Sequence, residues 1–389
     1  MNGETLGGYM PLMRRWLFSV DQIVFGEMKR MLDRRSQQRL IQTKRPVKTV
    51  SASRSHIEIG IVRDAGTSAT GLHGLAELFT YAGEMAGRRH GQGALPAVRI
   101  TQWQREPGQS SVTCTYDSGA GDDHDLAVLV LPGNLQATLD ASKDEVLIAW
   151  LRAMHARGVV IAAVCGGVFI LARTGLLTGR QATTHWALRD QFSREFPDVL
   201  VETDHMVIDY GDVLTAGGVL AWADLGLRLV ERLLGPRVMM DTARYMNIDP
   251  PGREQRFYSD FDPMLKHGDS AIVRAQEWLA GQRERVISVA ELAAHACMEP
   301  RTFLRRFTKA TGMKPLEYQQ RLRISRAREL LEFTRSSIGD IAAAIGYEDV
   351  ESFRRQFRRF TGLTPSDYRR RFAPGADESY SPLAASMTP

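Results

Sequence analysis

Three cysteines in 389 residues, Cys114, Cys165 and Cys297, are too few for a disulfide-stapled fold, and no pair has metal-ligand spacing. Neither a metal site nor a cofactor is expected, and a reducing cytoplasm is the default compartment. No run of 18 apolar residues occurs, so no membrane helix and no membrane partner are expected. The longest apolar runs, Leu126–Leu131 and Val159–Val164, are only strand-sized. Near the start, Arg14 and Arg15 precede a short apolar patch, Trp16–Val20, without a small-residue cleavage site, so no secretory leader is expected.

Charge is present but uneven. The formal net charge is +5. Residues 269–373 hold 20 Lys and Arg against 13 Asp and Glu, residues 51–268 hold 20 against 26, and residues 1–50 hold 10 against 4. A basic C-terminal block on an acidic middle calls for an anionic partner, of which nucleic acid is the commonest. A solvated, charged helix surface accounts for the numbers equally well on charge alone. The length favours two domains.

From His56 the chain alternates short apolar strands with helices. Strands are expected at His56–Val62, Val98–Trp103, Val112–Tyr116, Leu126–Leu131 and Val159–Val164, and a hairpin at Met206–Tyr210 with Val213–Thr215. Helices are expected at Leu72–Ala86, Lys143–Arg157 and Gly218–Leu234. Continuously apolar strands between helices imply a mostly parallel sheet with helices on both faces. The expected domains are a poorly ordered arm over 1–52, an α/β domain over 53–235, a linker over 236–268, an all-α domain over 269–373 and a disordered tail over 374–389. Within the linker, Arg253-Glu254-Gln255 reads either as a contact with the sensor domain or a partner subunit or, as is commoner for such polar runs, as solvated.

The all-α block repeats itself. Ser288, Phe303, Phe307, Thr311-Gly312, Pro315 and Tyr318 recur as Ser337, Phe353, Phe357, Thr361-Gly362, Pro365 and Tyr368, at an offset of 49 and then 50 residues. Each copy has the order of a helix-turn-helix unit. A serine able to cap a short helix is followed by a tight turn at Cys297-Met298 or Gly346-Tyr347. A second helix then buries two phenylalanines at i,i+4 and turns arginines outward. Arg301, Arg305 and Lys309 lie outward in the first copy, and Arg354, Arg355, Arg358 and Arg359 in the second. A helix of this kind fits the major groove of DNA, where arginine bonds guanine or phosphate.

At these residues, above all Gly346-Tyr347-Glu348-Asp349, Phe353-Arg354-Arg355-Gln356-Phe357 and Thr361-Gly362-Leu363-Thr364-Pro365, the chain resembles the AraC/XylS family of transcription regulators over about 269–372. That resemblance implies double-stranded promoter or operator DNA as partner, with RNA polymerase and a homodimer to be expected. Carried over by position, the implied DNA-contacting residues are Pro300, Arg301, Thr302 and Arg305 in the first unit, which in that family makes the stronger base contacts. In the second unit they are Asp349, Val350, Glu351 and Arg354.

The middle domain resembles the PfpI-like, class I glutamine amidotransferase-like fold over roughly 56–234. The buried strand Val159–Val164 leads into Cys165-Gly166-Gly167, the pattern of a nucleophile elbow, and Thr215-Ala216-Gly217-Gly218 precedes the last helix. At such an elbow the helix N-terminus is expected to lower the Cys165 pKa. Two departures weigh against catalysis. Hydrolytic relatives carry His immediately after the Cys, where this chain has Gly166, and Ala69–His73 offers no carboxylate near the place where relatives supply an acid. The fold implied is thus a PfpI/flavodoxin-like α/β sensor domain followed by an all-α domain with two helix-turn-helix units. The combination resembles the GlxA-type regulators, which implies an activator of a catabolic operon. Its inducer would be a small amino-acid-like or quaternary-amine metabolite. A ligand is expected at Cys165, Gly166, Gly167, His185 and Trp186. The rival expectation is a cysteine-dependent amidohydrolase-like enzyme with a DNA-binding tail.

Overall fold

The computed structural model describes residues 56–64, 66–90, 97–105, 108–119, 123–134, 145–282 and 285–373. The expected arm and tail lie outside the described residues. Contacts divide the chain into two compact units. The first takes the residues up to Leu177 with Val207–Thr215 and Leu225–Ile248, and the second takes Thr178–Met206, Ala216–Asp224 and the chain from Asp249.

Along the chain, β1 (His56–Arg63), α1 (Ala69–His90), β2 (Ala97–Gln104), β3 (Thr113–Asp117), β4 (Leu126–Leu131), α2 (Glu145–Ala156), β5 (Val160–Val164) and α3 (Gly167–Arg173) open the first unit. The short strands β6 (Gln181–Ala182) and β7 (Leu200–Val201) and the helix α4 (Arg189–Glu195) belong to the second. The chain returns as β8 (Val207–Asp209), β9 (Val213–Ala216), α5 (Trp222–Leu234) and α6 (Pro236–Tyr245).

Seven strands form one sheet in the order β3-β2-β1-β4-β5-β9-β8. β1 runs parallel to β2 and β4, and β4 parallel to β5, while β3 pairs antiparallel at the edge. Every residue of β5 is buried, so the alternation of a half-solvated strand is absent and both faces of the sheet are covered. Gly226 on α5 lets that helix approach α1 closely, since a Cβ there would lie 3.0 Å from Leu78 Cδ1. One carboxylate is enclosed in this core. Glu58 is fully buried and accepts from Thr101 Oγ1 (3.0 Å), the Asp125 N–H (2.8 Å) and, at 2.8 Å, faces His124 Nδ1.

Residue 236 does not begin a linker. Gly235 (φ 92°) ends α5, and Pro236 at the first turn starts α6, which buries Val238, Met239, Thr242 and Ala243. The helix expected from Gly218 starts later, at Trp222, because Gly218 is held at φ 99°.

The second unit continues with α7 (Ser270–Gly281), α8 (Val289–His295), α9 (Pro300–Thr311), α10 (Pro315–Phe333), α11 (Ile338–Ala344), α12 (Val350–Thr361) and α13 (Pro365–Phe372). The repeat is structural as well as sequential. Ser288 and Ser337 each build a capping box, with Glu291 and Asp340. Phe307 meets Tyr318 edge-on at 5.3 Å, and Phe357 meets Tyr368 in the same way at 5.3 Å. Thr311 and Thr361 each donate to the carbonyl four residues back at 2.8 Å, and Gly312 and Gly362 close the helices at φ 71° and 79°. Replacing Phe307 or Phe357 by alanine empties a fully buried ring site and should cost about 3–5 kcal/mol in either case. Urea unfolding followed by helical circular dichroism reads this directly.

Candidate nucleic-acid interface

The two-helix units present their outward faces through burial. On α9 Phe303 and Phe307 are fully buried, which leaves Arg301, Thr302, Leu304, Arg305, Thr308 and Lys309 exposed. Cys297 takes the left-handed conformation (φ 54°) in the turn between α8 and α9, where the second copy has Gly346 (φ 76°). The half-exposed Arg306 holds Asp269, the cap of α7, through two bonds of 2.9 and 2.7 Å. Arg301 and Arg305 make no hydrogen bond or ion pair among the described residues. Two unpaired guanidinium groups on one exposed face are free to bond guanine or phosphate.

The second unit is arranged differently. Asp349 caps α12, accepting from the Glu351 N–H (3.1 Å) and the Ser352 N–H (2.8 Å). Bonds from Ser352 and from the Glu351 backbone hold its carboxyl below the usual range. Its carboxylate is therefore committed to the helix end. Glu351 and Arg354 bond each other at 2.6 Å, and Arg355 donates to Ser352 Oγ at 2.7 Å. Arg358 and Arg359 extend the basic face toward the end of α12. The matched helix bounds make Leu304 the counterpart of Arg354 and Arg305 the counterpart of Arg355. Pro300 and Val350 open the two helices at their first turns.

The residues expected around a small-molecule ligand fall into two groups. Cys165, Gly166 and Gly167 stand in the first unit. Cys165 has φ 53°, so the elbow is present, but its side chain is 1% exposed instead of lifted clear of the sheet. Burial pushes the thiol up to about 11, against the lowering by the Gly166 N–H. The expected depression of its pKa is thus overturned by desolvation. Gly166 is required by packing, since a Cβ there would lie 1.7 Å from the Asn134 carbonyl oxygen. A histidine at 166 does not fit, which explains one departure from the hydrolytic pattern.

His185 and Trp186 stand in the second unit. His185 Nδ1 accepts from the Ala187 N–H at 3.1 Å, its ring lies 5.4 Å from that of Trp186, and burial lowers its pKa, so the imidazole stays neutral. Trp186 lines a cleft of about 560 Å³ with Phe261, Tyr318, Asp190, Asp204, Asp260 and Asp262.

Sequence reasoning missed the residues that tie this region together. Gln255, in a run whose commoner reading is solvated, is 1% exposed. Its Nε2 donates to the carbonyls of Thr203 (2.9 Å) and Thr184 (3.0 Å), and its Oε1 accepts from the Trp186 N–H (2.8 Å). Arg253 grips the buried Asp224 with two bonds of 2.8 and 2.6 Å. Further on, Arg328 of α10 donates to the carbonyls of Ser259 and Arg256, and Arg371 of α13 donates to Tyr258 Oη at 2.7 Å. A Gly-Arg-Glu-Gln run offers no periodicity from which such burial could be read. Among the described residues, no group of three or more His, Cys, Asp or Glu is placed to hold a metal ion, and no helix is long and apolar enough to cross a membrane.

The thiol makes a testable statement. In the native protein Cys297, which is exposed, should alkylate readily at pH 8 while Cys165 stays unmodified until the chain is unfolded. Because the folded Cys165 thiol ionises near 11 rather than 9, the unfolded chain releases its proton first. Stability is therefore full below pH 9 and falls as pH rises toward 11. That loss should be smaller in Cys165→Ala, and peptide mapping with pH-dependent melting checks both.

The helix-turn-helix domain family matches residues 292–371, and the DJ-1/PfpI family matches residues 101–232. The HTH-type transcriptional regulator CdhR of Pseudomonas aeruginosa is 29% identical over 246 residues, covering 61% of this chain and 68% of the regulator. The HTH-type transcriptional regulator GlxA of Rhizobium meliloti is 29% identical over 206 residues, 52% of this chain and 63% of GlxA. Isonitrile hydratase of Pseudomonas putida is 32% identical over 123 residues, 32% of this chain and 50% of the enzyme. The chain spans about two thirds of the length of the curated regulators it matches. The chain thus combines a region similar to the helix-turn-helix domain family with a region similar to the DJ-1/PfpI family, and it resembles proteins named HTH-type transcriptional regulators.

Proposed function

We propose that the protein is a sequence-specific DNA-binding transcription regulator acting in the cytoplasm on promoter or operator DNA. The observation that carries this reading is the pair of matched helix-turn-helix units, the first with Arg301 and Arg305 exposed and unpartnered among the described residues. Residues 269–373 form the DNA-binding block, and a homodimer that recruits RNA polymerase to activate a catabolic operon is the fuller form of the proposal.

The inducer is a small amino-acid-like or quaternary-amine metabolite. The cleft beside Trp186 has a volume in the range of small-molecule sites, which run from about 300 to 1,000 Å³. Its lining carries aromatic rings and side chains of both signs, the four aspartates together with Arg189, Arg194, Lys266 and Arg321, which suits a ligand bearing both an ammonium and a carboxylate. The segment 253–259 supports a coupling route. Gln255 bonds the backbone of Trp186, while the carbonyls of Arg256 and Ser259 hold Arg328 in the second helix-turn-helix core. A ligand that displaces this segment would shift that core.

The enzyme reading draws on the match to isonitrile hydratase. The neutral, 1% exposed thiol of Cys165 counts against it, because a nucleophile must be exposed and ionisable. Turnover that vanishes in Cys165→Ala would reverse this judgement.

Binding of the purified protein to fragments from its own genomic neighbourhood, across a salt series, tests the reading. The expected result is specific binding weakened by roughly 1–3 kcal/mol for each of Arg301→Ala and Arg305→Ala, with a residual salt-dependent affinity. Equal affinity for all fragments, unchanged in the double variant and with amine or amino-acid metabolites added, would refute it.

A further inference from the structure

Leu304 is an exposed apolar side chain on a basic helix. It is 39% exposed on α9 and stands outside the hydrophobic core that Phe303 and Phe307 form beneath it. With Arg301, Arg305 and Thr308 it makes a stripe at i, i+3, i+4 and i+7, one face of a helix. Single exposed leucines are ordinary on a protein surface. This one is flanked by two arginines without partners among the described residues, and the internal repeat places it opposite Arg354. The duplicated fold thus puts leucine at an outward position where the second copy carries a cation.

A surface that joins guanidinium groups to one aliphatic side chain is complementary to a polyanion that displays one apolar group. DNA meets that description in the major groove, where the thymine 5-methyl is the apolar group on the base edges. We propose that Leu304 is a specificity-determining residue that packs on the 5-methyl of a thymine, between base or phosphate contacts made by Arg301 and Arg305. The assignment rests on the DNA-binding reading and adds to it a base preference for the first unit. It also predicts that the two units read different bases at equivalent positions, since Arg354 has no apolar end to offer a methyl and favours guanine or phosphate.

The test removes the methyl and nothing else. Each thymine in the operator tract protected by the full-length protein is replaced by uracil, which keeps the same base pairing. At one position the affinity should fall about four-fold, the worth of one buried carbon group. Leu304→Ala should bind the thymine and uracil operators equally at that position. Leu304→Met, which keeps an apolar end, should retain the preference. Because the side chain is exposed, the variants should melt with the parent protein, which circular dichroism checks. Tolerance of uracil at every protected position, or a thymine preference that persists in Leu304→Ala, overturns the assignment while leaving DNA binding intact. A full chain that protects no DNA removes the DNA-binding reading and this assignment together.

Discussion

Helix α10 is buried at both ends, in two different cores. Tyr318 near its start packs on Phe307 within the first helix-turn-helix unit, and Ile324, Ala327 and Leu331 pack on Phe353 and Phe357 within the second. Its 19 residues span about 28 Å at ~1.5 Å per residue. Neither core closes without it, so the spacing of the two outward helices is set by one rigid rod. Successive major grooves recur about every 34 Å along one face of B-DNA, and that is the spacing the DNA-binding proposal requires of the two outward helices. The basic face of each outward helix, the capping boxes and the glycine ends all serve to hold side chains on this frame.

The two units have diverged in what they present. Among the described residues the first leaves Arg301 and Arg305 unpaired, whereas the second uses Asp349 as a cap and pairs Arg354 with Glu351. The tyrosines differ too. Tyr318 Oη accepts from Gln276 Nε2, while Tyr368 donates to Glu332, so each core is sealed by its own polar bond. Duplication therefore supplied the geometry, and local substitution supplied different surfaces.

Most of this frame could be read before any coordinates. Phenylalanines four residues apart, repeated at a fixed offset and followed by Thr-Gly, force two buried faces and two helix ends, and those are local properties. The parallel strands were likewise visible, since a strand buried on both faces has no alternation to hide. What stayed illegible depends on distant partners. The Gly235-Pro236 pair marks the end of one helix and equally the start of the next, and only the burial of Val238 and Met239 decides between them. Gln255 looks solvated until the carbonyls of Thr184 and Thr203 arrive around it. The pKa of Cys165 follows from how deeply its side chain is enclosed, which the motif does not encode. The capping role of Asp349 was within reach, because an aspartate just before a helix is a common N-cap.

Helix α10, shared by both cores, sets the spacing of the two outward helices. Hydroxyl-radical footprinting of the full chain on its operator tests this most directly. The account predicts two protected tracts on one face of the duplex, centred about one helical turn (~10 base pairs) apart. Inserting five base pairs between them should place one tract on the opposite face and cost at least an order of magnitude in affinity. A single protected tract, or an affinity indifferent to that insertion, would contradict it.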